Sequence, residues 1–334
     1  MQNWLQIPNR DKVEIYNEIA VQTGMTAYAV EKDWWVTQTI ALIFQTGLAP
    51  HLVFKGGTSL SKAWNLIERF SEDIDLALDR SFFGFKGPLT PSQVKTLRKR
   101  SFNYISEQFY PALKQKFKNE GLNVDIRLGE TKDSDQDPLI IEIYYPNVIQ
   151  YPQYIQPRVL VEIGCRSLRE PFTVKSFSSL VGSQYPDRPF ADAPIEIPTV
   201  NPERTFLEKI FLLHEEFQKP YTAIRVDRLS RHLYDIERLM HTEYGEAIVN
   251  NKILYKEIVN HRRKITPVRG INYDNHKPEF INPLPPEAIV NEWKKDYQIM
   301  QEQMIYGKSL KFEQLLENIE TLKNQINQLD WNLD

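Results

Sequence analysis

Two aspartates one residue apart, Asp73 and Asp75, close the stretch KGGTSLSKAWNLIERFSEDID at 55–75. On a strand, alternate side chains share a face, so both carboxylates point the same way. Like charges about 4 Å apart repel by roughly 4 kcal/mol at an effective dielectric of about 20, so the pair calls for a cation between them. The same stretch opens on Gly56 and Gly57, where the missing Cβ lets the backbone bend sharply and approach a ligand. The hydroxyls of Thr58 and Ser59, with the N–H groups at the start of the following helix, make an anion site. Phosphate beside paired carboxylates is the setting for a divalent metal, magnesium or manganese, held by carboxylates and substrate phosphates together. The spacing of a P-loop is absent. Lys62 and Arg69, between the turn and the aspartates, are candidate triphosphate contacts.

Such a site needs a strand before the glycines, a helix after them and a strand under the aspartates. LVFK (52–55), a helix over 59–69 and DIDLAL (73–78) supply them, the helix having Leu60, Ala63, Leu66, Ile67 and Phe70 at core spacing. Upstream, residues 10–46 read as two helices, the second apolar on most sides and so buried. A basic helix follows over 91–119, opened by Thr90 and Pro91. Further strands are expected at 123–128, 139–145, 158–164 and 194–198, with irregular chain from 166 to 200. From Asn201 the texture turns helical, with helices over 202–217, 227–242, 244–262, 286–306 and 309–330. The expected layout is an α/β (α+β) domain over 1–200 and a helical domain over 201–334.

Composition narrows the class. The 334 residues are 41% apolar and 12% aromatic, enough for a substantial core and against disorder. No apolar run reaches the length of a membrane span, and the N-terminus lacks a secretory pattern, so a cytoplasmic protein is expected. The single cysteine, Cys165, excludes an internal disulfide and a multi-cysteine zinc site. A net charge of −3 gives no global nucleic-acid signature, so any such surface is local. Arg262, Arg263 and Lys264, in a basic run from Lys252 to Arg269, are the candidate RNA contacts.

A third acid would complete the metal site. Glu142 in LIIEIYY and Glu162 in RVLVEIG are both charges in otherwise apolar strands, and periodicity does not choose between them. In DRLSRHLYDIERLM, Leu229, Leu233, Ile236 and Met240 form a core stripe beside a polar one of Arg228, Arg231, His232 and Asp235. Read as an isolated helix, that face is solvated and holds an Arg231–Asp235 pair.

FKGGTSLSKAWNLIERFSEDIDLAL (54–78) resembles the signature of the AbiEii/AbiGii toxin family, nucleotidyltransferases of the DNA polymerase β-like superfamily. The resemblance extends over about 30–240 and includes EKDWW (31–35). The interval from Thr58 to Asp73 exceeds the superfamily's general pattern and is familiar in the Abi-like branch. The resemblance implies a polymerase β-like core with a mixed sheet, and its third acid, in a segment like VEIGCRS, favours Glu162. It implies a triphosphate-binding lysine at Lys209, in ERTFLEKIFLLHEE, and an aspartate at Asp235 that orients it or the acceptor. It also implies transfer of a nucleoside monophosphate from an NTP to tRNA, and a separately encoded antitoxin. Two other readings share parts of the pattern: transfer to a small molecule such as an aminoglycoside, and a catalytically silent binding module.

Overall fold

The structure, a computed structural model, describes residues 1–131, 133, 135–151 and 156–332. The chain divides into two compact units, Met1–Trp64 with Phe70–Val200, and Asn65–Arg69 with Asn201–Asp334.

The first unit is built on a mixed seven-stranded sheet: β1 (Leu52–Lys55), β2 (Asp73–Leu78), β3 (Asp125–Leu128), β4 (Leu139–Tyr144), β5 (Arg158–Gly164), β6 (Phe172–Phe177) and β7 (Ile195–Val200). Its order is β3-β4-β5-β2-β1-β7-β6. The β2/β5 and β1/β7 pairs are parallel and the others antiparallel. Period-two alternation gives the sheet two unlike faces. Phe54, Ile74, Leu76, Ile126, Ile141, Ile143, Val161 and Ile163 fill one of them and belong to a single core cluster. Burying side chains of this size contributes about 1.5–3 kcal/mol each.

Helices α1 (Gln2–Leu5), α2 (Asn9–Thr23) and α3 (Ala27–Ile43) precede the sheet, and α4 (Gly56–Lys62) joins β1 towards β2. Between β2 and β3 run α5 (Pro91–Tyr104), a π-helical turn at Ile105–Phe109 and α6 (Tyr110–Asn119). The expected long basic helix is thus interrupted, and Pro111 stands at the junction. A proline nitrogen cannot donate within the helix, and the wider turn absorbs that defect. A strand and a helix absent from the sequence reading, β6 and α7 (Leu180–Gln184), lie in the expected irregular stretch.

The helix expected over 59–69 stops early. Asn65 adopts φ 54°, in the left-handed region that ends a helix. Leu60, Ala63, Ile67 and Phe70 are nevertheless all buried. Their helical spacing reflects burial, and tertiary packing overrides the period.

The second unit contains α8 (Pro202–Phe217), α9 (Ser230–Met240), α10 (Glu243–Ile248), α11 (Lys252–Lys264), α12 (Val290–Gln303) and α13 (Phe312–Asn327). The expected helix over 244–262 is two, separated where Asn251 caps the second by accepting from the Leu254 N–H at 3.0 Å. Residues Asn65–Arg69 belong here: the Glu68 carbonyl accepts from Tyr306 N–H at 3.1 Å, and the Tyr234 hydroxyl from Glu68 N–H at 3.2 Å. No described helix is long and apolar enough to cross a membrane.

Candidate active site

The second face of the sheet is polar. Lys55 on β1 pairs with Asp75 on β2, and Asp75 pairs with Glu162 on β5; Asp73 pairs with Leu160. Paired residues share a face, so Lys55, Asp73, Asp75 and Glu162 stand together, each half-buried. Glu142 lies on the same face one strand further out, opposite Leu160. Its carboxylate accepts from Arg158 at 2.7 Å and from the Tyr144 hydroxyl at 2.8 Å. Register therefore distinguishes the two glutamates that periodicity could not: Glu162 neighbours Asp75, and Glu142 serves an Arg–Tyr cluster.

Gly56 turns the chain from β1 into α4 with φ 79°. A Cβ there would lie 1.9 Å from the Asp75 Oδ2, so only glycine lets the turn come this close to the carboxylate. The hydroxyls of Thr58 and Ser59 do not face outward as the anion-site reading requires. Both residues are buried. The Thr58 hydroxyl donates to the Asp73 carbonyl at 2.5 Å, and that of Ser59 to the Gly56 carbonyl at 2.9 Å. They fix the turn and the start of β2, while backbone N–H groups at Gly56–Gly57 remain the candidate phosphate donors.

Three consecutive charges on α3 brace this arrangement. The Glu31 carboxylate accepts from the N–H groups of Val148 and Ile149 at 2.7 and 3.2 Å. Burial pushes its pKa up to about 7, against the pull of those two donors. Lys32 pairs with Glu72, next to Asp73, and donates to the Gln156 carbonyl at 3.0 Å. Asp33 pairs with Lys62 at the end of α4 and accepts from the Leu180 N–H at 2.7 Å. One helix thus holds both α4 and the lead into β2. Lys62, a candidate phosphate contact, has its ammonium paired with Asp33 and, at 3.4 Å, with the Ser178 carbonyl.

Within the helical unit, Asp235 on α9 is fully buried and bound by two cations. Arg69 clamps it bidentately at 2.6 and 2.7 Å, and Lys209 on α8 pairs with it at 2.8 Å. Lys209 also donates to His232 Nδ1 at 3.5 Å. Burial would raise the Asp235 carboxyl, but Arg69 and Lys209 outweigh it and hold it well below the usual range. Burial holds the Lys209 ammonium below the ordinary lysine range, Asp235 opposing and Arg69 adding to the shift. Burial and the neighbouring Lys209 likewise keep His232 neutral. Arg69, a candidate triphosphate contact, is held in this clamp. The clamp takes the place of a solvated Arg231–Asp235 pair: Asp235 is fully buried, and a sequence gap of 166 residues to Arg69 leaves no periodic trace.

The basic run on α11 also divides. Arg262 turns inward and clamps Glu215 at 2.7 and 2.5 Å, beside His276, whose Nε2 lies 3.0 Å from the same carboxylate. Arg262, a candidate RNA contact, is thus engaged in an ion pair within the helical unit. Arg263 pairs with Asp274 at 2.8 Å. Arg263 and Lys264, with Lys256 and Lys277, line a cleft of about 280 Å³ that also includes Asn260 and Tyr273.

The donor set suits a hard divalent cation: carboxylate oxygens on one face, beside a turn that a Cβ would obstruct. Among the described residues no three His, Cys, Asp or Glu side chains converge into a preassembled metal cage.

The profile of a family described as nucleotidyl transferase AbiEii toxin, type IV TA system, matches residues 41–318. Comparison with curated proteins returns no significant match. Among solved structures, the chain is similar to the nucleotidyltransferase toxin MenT4 from Mycobacterium tuberculosis H37Rv, with 15% identity, 97% of this chain and 99% of that one covered, and a TM-score of 0.47. It is also similar to JHP933 from Helicobacter pylori, with 14% identity, 87% and 90% coverage and a TM-score of 0.42.

Proposed function

The chain belongs to the AbiEii family of nucleotidyltransferase toxins of type IV toxin–antitoxin systems, and from that premise we propose that its chemistry runs on the polar face of the sheet, with tRNA as acceptor. The observation that carries this reading is the register of β2 and β5, which sets Glu162 beside Asp75 and on the face of Asp73. In the proposed reaction an acceptor hydroxyl attacks the α-phosphorus of a nucleoside triphosphate and pyrophosphate leaves. Asp73, Asp75 and Glu162 would hold a divalent cation, magnesium or manganese. When bound, that cation supplies charge neutralisation at the phosphate oxygens. Glu162 also takes the proton of the attacking hydroxyl. The backbone at Gly56 and Gly57 receives the triphosphate.

Lys209 and Asp235 are proposed on the family resemblance, Lys209 as a triphosphate cation and Asp235 as the residue that orients it; their 2.8 Å pair supports the orienting role. The functional division is placed at residue 200, with the acids in residues 1–200 and a helical domain in 201–334. The cleft of Lys256, Arg263, Lys264 and Lys277 is a proposed docking surface for the acceptor's phosphates. A cytoplasmic location follows from the substrates, and a separately encoded antitoxin is the expected partner.

The test is incubation with total RNA and each labelled nucleoside triphosphate in turn. Labelled tRNA that disappears with Asp73→Asn is the expected result. Labelling of an aminoglycoside in place of RNA would favour the small-molecule acceptor. In a second measurement, Lys209→Ala should weaken binding of a non-hydrolysable triphosphate, and equal affinities would remove Lys209 from the site.

A further inference from the structure

We propose that Lys55 is a further substrate-binding residue of this site, one whose ammonium contacts the β- and γ-phosphates of the triphosphate and stays with the pyrophosphate as it leaves. The inference rests on the nucleotidyl-transfer reading above. Lys55 is the last residue of β1 and the direct partner of Asp75, which in turn partners Glu162. The three form a row across adjacent strands, on one face of the sheet. The Lys55 ammonium donates to the Ser167 hydroxyl at 3.2 Å. Ser167 lies just beyond β5, and β2 separates β1 from β5. The side chain therefore runs over the strand that carries the two aspartates.

Lys55 is also the residue that immediately precedes the glycine turn, at the N-cap of α4. The turn packs so closely on Asp75 that a Cβ at Gly56 would sit 1.9 Å from its Oδ2. Backbone donors and the lysine thus serve the same space above that carboxylate. Asp73, Asp75 and Glu162 share this face with Lys55, and a triphosphate brings further negative charge to it. A lysine ammonium is a compact charge with three rotatable donors on a flexible stem. It can hold a hydroxyl at rest and exchange it for phosphate oxygens when substrate arrives.

In the transfer step the acceptor oxygen bonds to the α-phosphorus, and the bond from that phosphorus to the α–β bridging oxygen breaks. The bridging oxygen keeps the electron pair, and the acceptor's proton passes to Glu162. Lys55 meets the charge that accumulates on the departing pyrophosphate.

The experiment is calorimetric titration of the four nucleoside triphosphates and their monophosphates, with magnesium present, into wild type, Lys55→Met and Lys55→Arg. Lys55→Met is expected to weaken triphosphate binding roughly 10–100-fold, the effect of losing one charged hydrogen-bonding partner. Monophosphate binding should stay unchanged, and Lys55→Arg should recover most of the loss. Equal weakening of both ligands would show that Lys55 only balances Asp75, and no weakening would remove it from the site; either result overturns the proposal. If Lys55→Met does not fold, Lys55→Gln gives the same comparison, since it removes the charge and keeps a donor for Ser167. Failure of the underlying reading looks different: wild type would bind no triphosphate, or Asp73→Asn would still transfer nucleotide.

Discussion

On the polar face of the sheet, Asp73, Asp75 and Glu162 stand half-buried on adjacent strands with one lysine in the row. In the helical unit, Asp235 is fully buried between Arg69 and Lys209, against a neutral histidine. The first arrangement gathers like charges where solvent and substrate can reach them. The second sets one carboxylate between two cations within a buried cluster. An excess of acid at an accessible surface costs stability unless a ligand brings positive charge, which is the expected signature of a binding site. A buried ionic cluster carries a desolvation cost that its own pairing offsets, and it loses that offset when one member is removed. Similar side chains thus have different consequences, and single substitutions should separate them.

The largest expected effect is on the sheet. Asp75→Asn keeps the shape of the side chain and removes its charge, so transfer should fall by at least roughly 10²–10³-fold. Thermal unfolding should shift little or move upward, since a repulsion is relieved. A large drop in melting temperature would mean that the row of acids is structural, and the contrast between the two clusters would fail.

The helical cluster should respond in the opposite way. Arg69→Met leaves Asp235 with one of its two cations in a fully buried setting. A destabilisation of about 3–5 kcal/mol is expected, the range for breaking a buried pair. Arg69→Met combined with Asp235→Leu should not recover it, because Lys209 is then left buried without its carboxylate. Chemical denaturation of the two variants decides the matter, and a single variant as stable as wild type would refute the structural reading of the clamp.

How far the sequence reveals these two places follows from the range of the interactions that make them. The aspartates, the glycine turn and the strands around them are local patterns, visible in spacings of one to a few residues. The family resemblance over 54–78 marks the same segment. The proposed third acid rests on one long-range fact, the pairing of Asp75 with Glu162, which no periodicity contains. The clamp joins residues 166 positions apart, so spacing alone reads Arg69 as a phosphate contact and Asp235 as half of a surface pair, and only the family resemblance sets Asp235 with Lys209. Arg262 misled in the same way, because a basic run does not show which member turns towards Glu215. Lys55, beside a glycine pair, reads as part of the strand, and only the register places it opposite Asp75.

Glu31 offers the finest test, because it is a third combination: a buried carboxylate held by two backbone N–H groups instead of by cations. Without the matched charges that depress Asp235, burial raises its pKa to about 7. An unfolded glutamate titrates near about 4.3. Between those values the folded chain holds a proton that the unfolded chain has lost. The contribution of Glu31 to stability is therefore fully present below about pH 4 and is lost as pH rises through about 7. Asp235 has the opposite sign: its depressed pKa stabilises the fold above about pH 4, and that contribution is lost as pH falls through the depressed value. Denaturation of wild type and Glu31→Gln at pH 5 and pH 8 separates the two. Wild type should lose on the order of 2 kcal/mol relative to the variant over that interval. Parallel pH profiles would show that Glu31 is charged in the fold, and that two backbone donors do for a buried carboxylate what Arg69 and Lys209 do for Asp235.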